Sequence, residues 1–208
     1  MNKKQKLGIY GGSFSPIHCG HVNAARLFID SAELDKMLIM PTHISPHKDP
    51  ITEATPLQRF EMAKLAFSDD EYYKSGRLEV SDYELLRDGR SYTVYTVQHF
   101  ATEERELYLL VGTDMFLTLD KWYCAADILS LCDIVLMRRE NDREMYAKIK
   151  EKMKSMQRDF GARVHEIEEP PIIASSTEIR EKLRLGQDVS GLIPDEVIRY
   201  IKKYDLYR

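Results

Sequence analysis

Two histidines three residues apart follow a pair of glycines in the segment Gly11-Gly12-Ser13-Phe14-Ser15-Pro16-Ile17-His18-Cys19-Gly20-His21. Glycines let a ligand approach the backbone closely. A helix that starts just after them adds unbonded N–H groups and the positive end of its dipole, which together favour phosphate. On such a helix His18 and His21 fall on one side. Two imidazoles placed there can donate hydrogen bonds to phosphate oxygens. The same spacing can hold a metal, although no third ligand is evident, and either ring taken singly can be a satisfied structural group. The segment matches neither G-x-G-x-x-G nor G-x-x-x-x-G-K-[ST], so dehydrogenase and P-loop chemistry lose their main support.

Three later segments carry compatible chemistry. Ser175-Ser176-Thr177-Glu178-Ile179-Arg180 reads as a helix start, with Ser or Thr as cap and Glu178 in the first turn. The same hydroxyls, N–H groups and Arg180 also form an anion cradle able to hold a polyphosphate. In Gly112-Thr113-Asp114 the acid can meet a ribose or an adenine edge, or cap a helix. Trp122 is the only tryptophan, with Tyr123 beside it. It suits core packing or stacking on a flat heteroaromatic ring.

Positioning these segments is the work of alternating elements. Short apolar runs predict strands over 7–10, 37–40, 78–80, 106–111, 133–137 and 163–167, the first ending at Gly11-Gly12 and the second stopped by Pro41. Helices are predicted over 18–31, 91–102, 121–131, 140–158, 175–185 and 194–203. Another starts at Thr55-Pro56, with Thr as cap and Pro in the first turn, and turns Leu57, Phe60, Met62, Leu65 and Phe67 to a partly buried face. Strands separated by helices imply parallel βαβ units in a doubly wound α/β sheet. Their near-continuous apolar character fits a sheet covered on both faces. Ligands of such sheets sit beyond the carboxyl ends of the strands. There the chain places GGSFSPIHCGH, PTHISPHK, GTDMF and MRRE.

A chain of 208 residues suits one domain, spanning 1–208, with the helices of 174–208 as a C-terminal cap. The charged 140–158 stretch reads as a solvated helix face. Lys+Arg is 30 against Asp+Glu 34, a net charge of −4, which argues against a duplex-DNA binder. No run approaches the roughly 20 apolar residues of a membrane span. The basic start has no apolar stretch after it and is no secretory signal. Cys19, Cys124 and Cys132 are spaced neither as a zinc pair nor as a redox motif. A cytoplasmic location follows, with Cys124 and Cys132 expected as buried thiols.

Taken together, GGSFSPIHCGH and SSTEIR resemble the nucleotidyltransferase superfamily with an H-x-G-H signature. Class I aminoacyl-tRNA synthetases share a related signature, but they need a much longer chain. Within the superfamily the resemblance narrows to the bacterial nicotinate-mononucleotide adenylyltransferases. It is carried by the order GGSFSPIHCGH, SPHK, SYTVYT, LVGTDMFLTLDKW, MRRE, SSTEIR and IPDEVIRYIKKYDLY, which runs over essentially the whole chain. Two positions depart from the family's pattern: Ser15 stands where Asp is usual, and Arg139 where Pro is common.

The resemblance implies a Rossmann-like fold and transfer of AMP from ATP to nicotinate mononucleotide, giving deamido-NAD and pyrophosphate. By it, Gly11, Gly12, Ser13 and Phe14 line ATP, and His18 and His21 stabilise charge at the α-phosphate. Lys48 neutralises phosphate from a loop. Ser175, Ser176, Thr177 and Arg180 hold the β- and γ-phosphates, and Gly112 and Asp114 contact the adenosine. Tyr92, Thr93 and Trp122 meet the pyridine nucleotide. Mg²⁺ arrives with the triphosphate, and no metal ligands are assigned to the protein. The partners are ATP and nicotinate mononucleotide, with no nucleic acid and no membrane. The rival readings are an adenylyltransferase for nicotinamide mononucleotide or phosphopantetheine, and a nucleotide-binding regulator without turnover.

Overall fold

The computed structural model describes residues 3–46, 52–138, 142–167, 169, 172 and 174–208. The elements run β1 (Gln5–Gly12), α1 (Cys19–Ser31), β2 (Lys36–Pro41), α2 (Pro56–Ala66), α3 (Glu71–Lys74), β3 (Leu78–Val80), α4 (Thr93–Phe100) and β4 (Arg105–Gly112). Then come α5 (Thr113–Thr118), one 3-10 turn (Leu119–Lys121), α6 (Ala125–Leu131), β5 (Cys132–Met137), α7 (Arg143–Phe160), β6 (Val164–Ile167), α8 (Ser176–Arg184) and α9 (Asp195–Tyr204). The strands order as β3-β2-β1-β4-β5-β6. That is the order of a doubly wound nucleotide-binding sheet. The pairs β1–β4, β4–β5 and β5–β6 are parallel, with Leu7 opposite Leu107, Leu109 opposite Ile134 and Leu136 opposite Glu166. The expected α/β fold is therefore the one observed.

Local chemistry explains where the helices begin and end. Thr55 caps α2 through a capping box: its hydroxyl accepts from the Gln58 N–H, and the Gln58 side chain accepts from the Thr55 N–H. Asp142 caps α7 by accepting from the N–H groups of Glu144 and Met145, and Gly161 ends that helix in the left-handed conformation.

Contacts divide the chain into two compact units. One comprises Met1–Tyr10, Leu27–Met37 and Tyr92–Pro171; the other comprises Gly11–Arg26, Leu38–Ser91 and Ile172–Arg208. The first buries Leu7, Ile9, Leu109, Phe116, Ile134 and Leu136, from both strands and covering helices. The second buries Phe14, Ile17, Met62, Phe67, Val197 and Tyr207. Fully burying one such side chain is worth about 1.5–3 kcal/mol.

Gly11 and Gly12 end β1 as expected, and the left-handed residue of the turn that follows is Phe14. Three expectations are corrected. On α2, Leu57 is 62% exposed while Arg59 is 2% exposed, because Arg59 finds backbone acceptors in the interior. The predicted 121–131 helix is broken: Cys124 takes the left-handed conformation (φ 53°), so α6 starts only at Ala125 and Trp122 lies in the connecting turn. For the same reason Cys124 is exposed. Cys132 is buried as expected, and burial pushes its thiol up to about 12. Helix α3, capped by Asp70, was not foreseen; four residues are too few to show a period.

Candidate active site

The second unit builds one site around the turn that follows β1. Two helices distant in sequence hold its carbonyls, and a third segment meets the Ser15 hydroxyl. The Arg59 Nη1 on α2 donates to Ser13 O at 2.7 Å. The Arg180 Nη1 on α8 donates to Ser15 O at 2.7 Å, and the Ser176 hydroxyl donates to Pro16 O at 3.1 Å. Beyond α9, the Tyr207 hydroxyl lies 3.0 Å from Ser15 Oγ. Asp205 and Tyr207 both take positive φ, and this bend carries the last tyrosine inward to 1% exposure. Burial pushes its phenol up to about 12, against smaller opposing effects of Ser15, Arg59 and Arg180. Ser15, the position that departs from the family's usual Asp, thus forms a neutral hydroxyl pair.

The histidines sit where this turn enters α1. Their rings stack with centroids 3.6 Å apart and planes 22° from parallel. The His18 N–H donates to His21 Nδ1 and the His21 N–H to His18 Nδ1, both at 3.3 Å. In a neutral imidazole, accepting at Nδ1 puts the proton on Nε2. The His21 N–H also donates to His18 O at 2.9 Å; a backbone N–H facing each Nδ1 favours the tautomer that carries its proton on Nε2. His18 is 2% exposed, and Phe14 meets the His21 ring edge-on at 5.1 Å. Sequence reasoning passed over Gly20 between them. A Cβ there would lie 2.7 Å from the Ile172 carbonyl oxygen and 3.1 Å from the His18 ring, so only glycine fits. The H-x-G-H spacing itself was the available signal.

Helix α8 joins this site as expected, with a different division of labour. Ser175 is the cap residue but makes no side-chain cap bond; Ser176 and Thr177 use their hydroxyls on Pro16 O and Arg180. Arg180 bonds Ser15 O and Thr177, and its Nε lies 3.4 Å from Glu53. Glu53 also pairs with Arg184, one turn further along α8. Arg59, Glu53 and Arg184 were not foreseen; Arg59 carries no local signal, since a charged residue on a helix is ordinarily solvated. Lys48 and Arg139 lie outside the described residues.

The first unit holds the other predicted residues. Gly112 ends β4 and is the cap residue of α5, while Asp114 is exposed in its first turn and does not cap it. Tyr92 is the cap residue of α4, and Thr93 is its first residue. The Tyr92 ring lies 4.8 Å from Tyr123, and Tyr95 lies 6.2 and 6.1 Å from those two. This cluster adjoins half-buried Trp122, whose backbone N–H donates to Leu119 O. Tyr95 follows from the spacing of three along α4.

The turn after β1 thus brings carbonyls held by Arg59, Arg180 and Ser176 beside two stacked histidines at a helix start, an arrangement whose donors suit an anion such as phosphate. The chain belongs to the cytidylyltransferase-like family, whose profile matches residues 9–182. Within that group it falls among the nicotinate-nucleotide adenylyltransferases. Proteins named "Probable nicotinate-nucleotide adenylyltransferase" from Caldicellulosiruptor saccharolyticus and Thermoanaerobacter sp. are 32% and 33% identical to it, over 98% and 100% of this chain and 99% and 97% of theirs. Plasmodium falciparum nicotinic acid mononucleotide adenylyltransferase complexed with NaAD shares the fold, with a TM-score of 0.75 and 18% identity over 98% of this chain and 97% of that one. Among the described residues, no helix is long and apolar enough to cross a membrane.

Proposed function

We propose that this chain transfers AMP from ATP to nicotinate mononucleotide, forming deamido-NAD and releasing pyrophosphate. The observation that carries the reading is the reciprocal backbone bonding of His18 and His21, which favours two Nε2–H donors at a helix start. A phosphate oxygen of the acceptor attacks the α-phosphorus of ATP, and the bond from that phosphorus to the bridging oxygen breaks. The nucleophile is already an anion, so no general base is needed. The protein aligns the two phosphates and stabilises charge at the α-phosphate.

In this reading Gly11, Gly12, Ser13 and Phe14 line the nucleotide, and His18 and His21 contact the transferring group. Arg180, Ser175, Ser176 and Thr177 hold the departing pyrophosphate, with Lys48 adding charge and Arg184 a further cation. Gly112 and Asp114 take the adenosine. Trp122 stacks on the pyridine, while Tyr92 and Thr93 face its carboxylate. A carboxylate needs only donors, whereas a carboxamide also needs an acceptor. Mg²⁺ belongs to the substrate and arrives hydrated on the triphosphate; the cationic and hydroxyl donors of the turn suit the phosphates it carries. The three free thiols suit a cytoplasmic location.

The test is pyrophosphate release from ATP and Mg²⁺ with nicotinate mononucleotide, nicotinamide mononucleotide or phosphopantetheine as acceptor. Release with the first is expected. Release with another acceptor alone overturns the substrate, and release with none overturns the activity. His21→Ala should lower turnover by about 100-fold or more without unfolding. Unchanged turnover removes His21 from the mechanism.

A further inference from the structure

A buried guanidinium is unfavourable unless its donors meet acceptors. Arg59 is 2% exposed and directs three hydrogen bonds at main-chain carbonyls. Nη1 reaches Ser13 O at 2.7 Å; Nη2 reaches Thr42 O at 2.6 Å and His43 O at 3.0 Å. Ser13 follows β1, and Thr42 and His43 follow β2. The fork therefore ties together the ends of two neighbouring strands, beyond the backbone bond from the Thr42 N–H to Gly12 O. An aliphatic side chain would fill the volume without the desolvation penalty, but it could not orient a carbonyl.

That orientation has a consequence within one peptide plane. The Ser13 carbonyl and the Phe14 N–H belong to the same trans unit, so they point in opposite directions. Drawing the carbonyl toward Arg59 turns the Phe14 N–H to the opposite side of the turn. Phe14 itself has φ 46°. A bulky residue keeps that conformation only where its surroundings over-determine it. Its ring in turn meets His21 at 5.1 Å.

We infer that Arg59 is a positioning residue for the transfer reaction: it touches no substrate, but it fixes the Ser13–Phe14 peptide and, through the Phe14 ring, the placement of His21. The inference rests on the reading of this turn and its histidines as the nucleotide side of the site. It assigns to a helix outside the turn the geometry that the turn presents.

Two variants test it. Arg59→Lys keeps a cation but loses the fork, so it cannot hold both strand ends; Arg59→Met fills similar volume with no donors. The readouts are kcat per folded molecule, KM for each substrate, and the imidazole ¹⁵N signals of the histidines. In whichever variant folds, kcat per folded molecule should fall about 100-fold. KM for ATP should rise, KM for the acceptor should stay put, and the His21 signals should move. A purely structural Arg59 would lower only the folded fraction. Unchanged kcat per folded molecule, unmoved His21 signals, or failure of both variants to fold overturns the inference. Wild-type turnover with the acceptor panel is measured first, so an error in the substrate appears there. The shift of the His21 signals on adding MgATP reports the nucleotide side without any acceptor.

Discussion

Gly20→Ala sets two magnitudes against each other. The substitution adds one methyl to the first turn of α1, where helix propensity alone would stabilise by about 1 kcal/mol. The added Cβ would stand 2.7 Å from the Ile172 carbonyl oxygen and 3.1 Å from His18 Cε1 and Nδ1. An ordinary C···O approach is about 3.3 Å, so roughly 0.6 Å must be absorbed. Neither neighbour gives easily. The Ile172 N–H is held by Asn23 Oδ1 at 2.8 Å, and the His18 ring is stacked on His21 and accepts its N–H at an already long 3.3 Å. Overpacking of this kind costs about 1–3 kcal/mol, which outweighs the propensity gain and leaves a net loss of up to about 2 kcal/mol. Moving the His18 ring also breaks the bond that favours its tautomer. A misplacement of this size near the reacting phosphate should lower kcat by about tenfold or more. Thermal melts give the first quantity. Pyrophosphate release, at a temperature where both proteins are fully folded, gives the second. A raised Tm with unchanged kcat would show that the pocket yields freely, and the reciprocal histidine geometry would then lose its place in the mechanism.

Two further outcomes follow from the same site. The Tyr207 phenol is pushed up to about 12 in the folded chain from 10.0, so below about pH 10 both states hold the proton and the contribution is complete. Between about pH 10 and 12 the unfolded chain releases it first, and stability falls by up to about 3 kcal/mol. Tyr207→Phe should remove that part of the alkaline slope in denaturant titrations, while the slope from Cys132 remains in both proteins; parallel slopes would contradict the assignment. Glu53 pairs its carboxylate with Arg180 and Arg184, so a triphosphate bound there, as proposed, would displace it. Glu53→Gln should lower KM for ATP by about 2–5-fold, the equivalent of a partly exposed ion pair, and added salt should shrink the difference. A higher KM, or a gap that salt does not change, would mean that Glu53 organises α8 instead of competing with phosphate.

Much of the fold was legible because its signals are local. Apolar runs of strand length alternating with helical periods lead to a doubly wound sheet, and the order of chemical segments after the strands leads to nucleotidyl transfer. The Thr55-Pro56 start works through a residue three positions away, so it reads directly. The failures share a cause. The pattern on α2 favoured Leu57 over Arg59, because nothing nearby reveals three carbonyls waiting in the interior. The break at Cys124 is a single left-handed residue in an otherwise helical stretch.

The active turn shows the same division at closer range. Its residue types, two glycines, hydroxyls and two histidines, are a property of the chain in order, and they are what points to phosphate in the proposed function. Their geometry is not. Ser15 meets Tyr207 across 192 positions, Arg180 reaches back 165 to the Ser15 carbonyl, and Arg59 reaches 46 to Ser13. Chemical identity is carried by composition and short spacing, whereas orientation is imposed by hydrogen bonds between segments that meet only once the chain has packed.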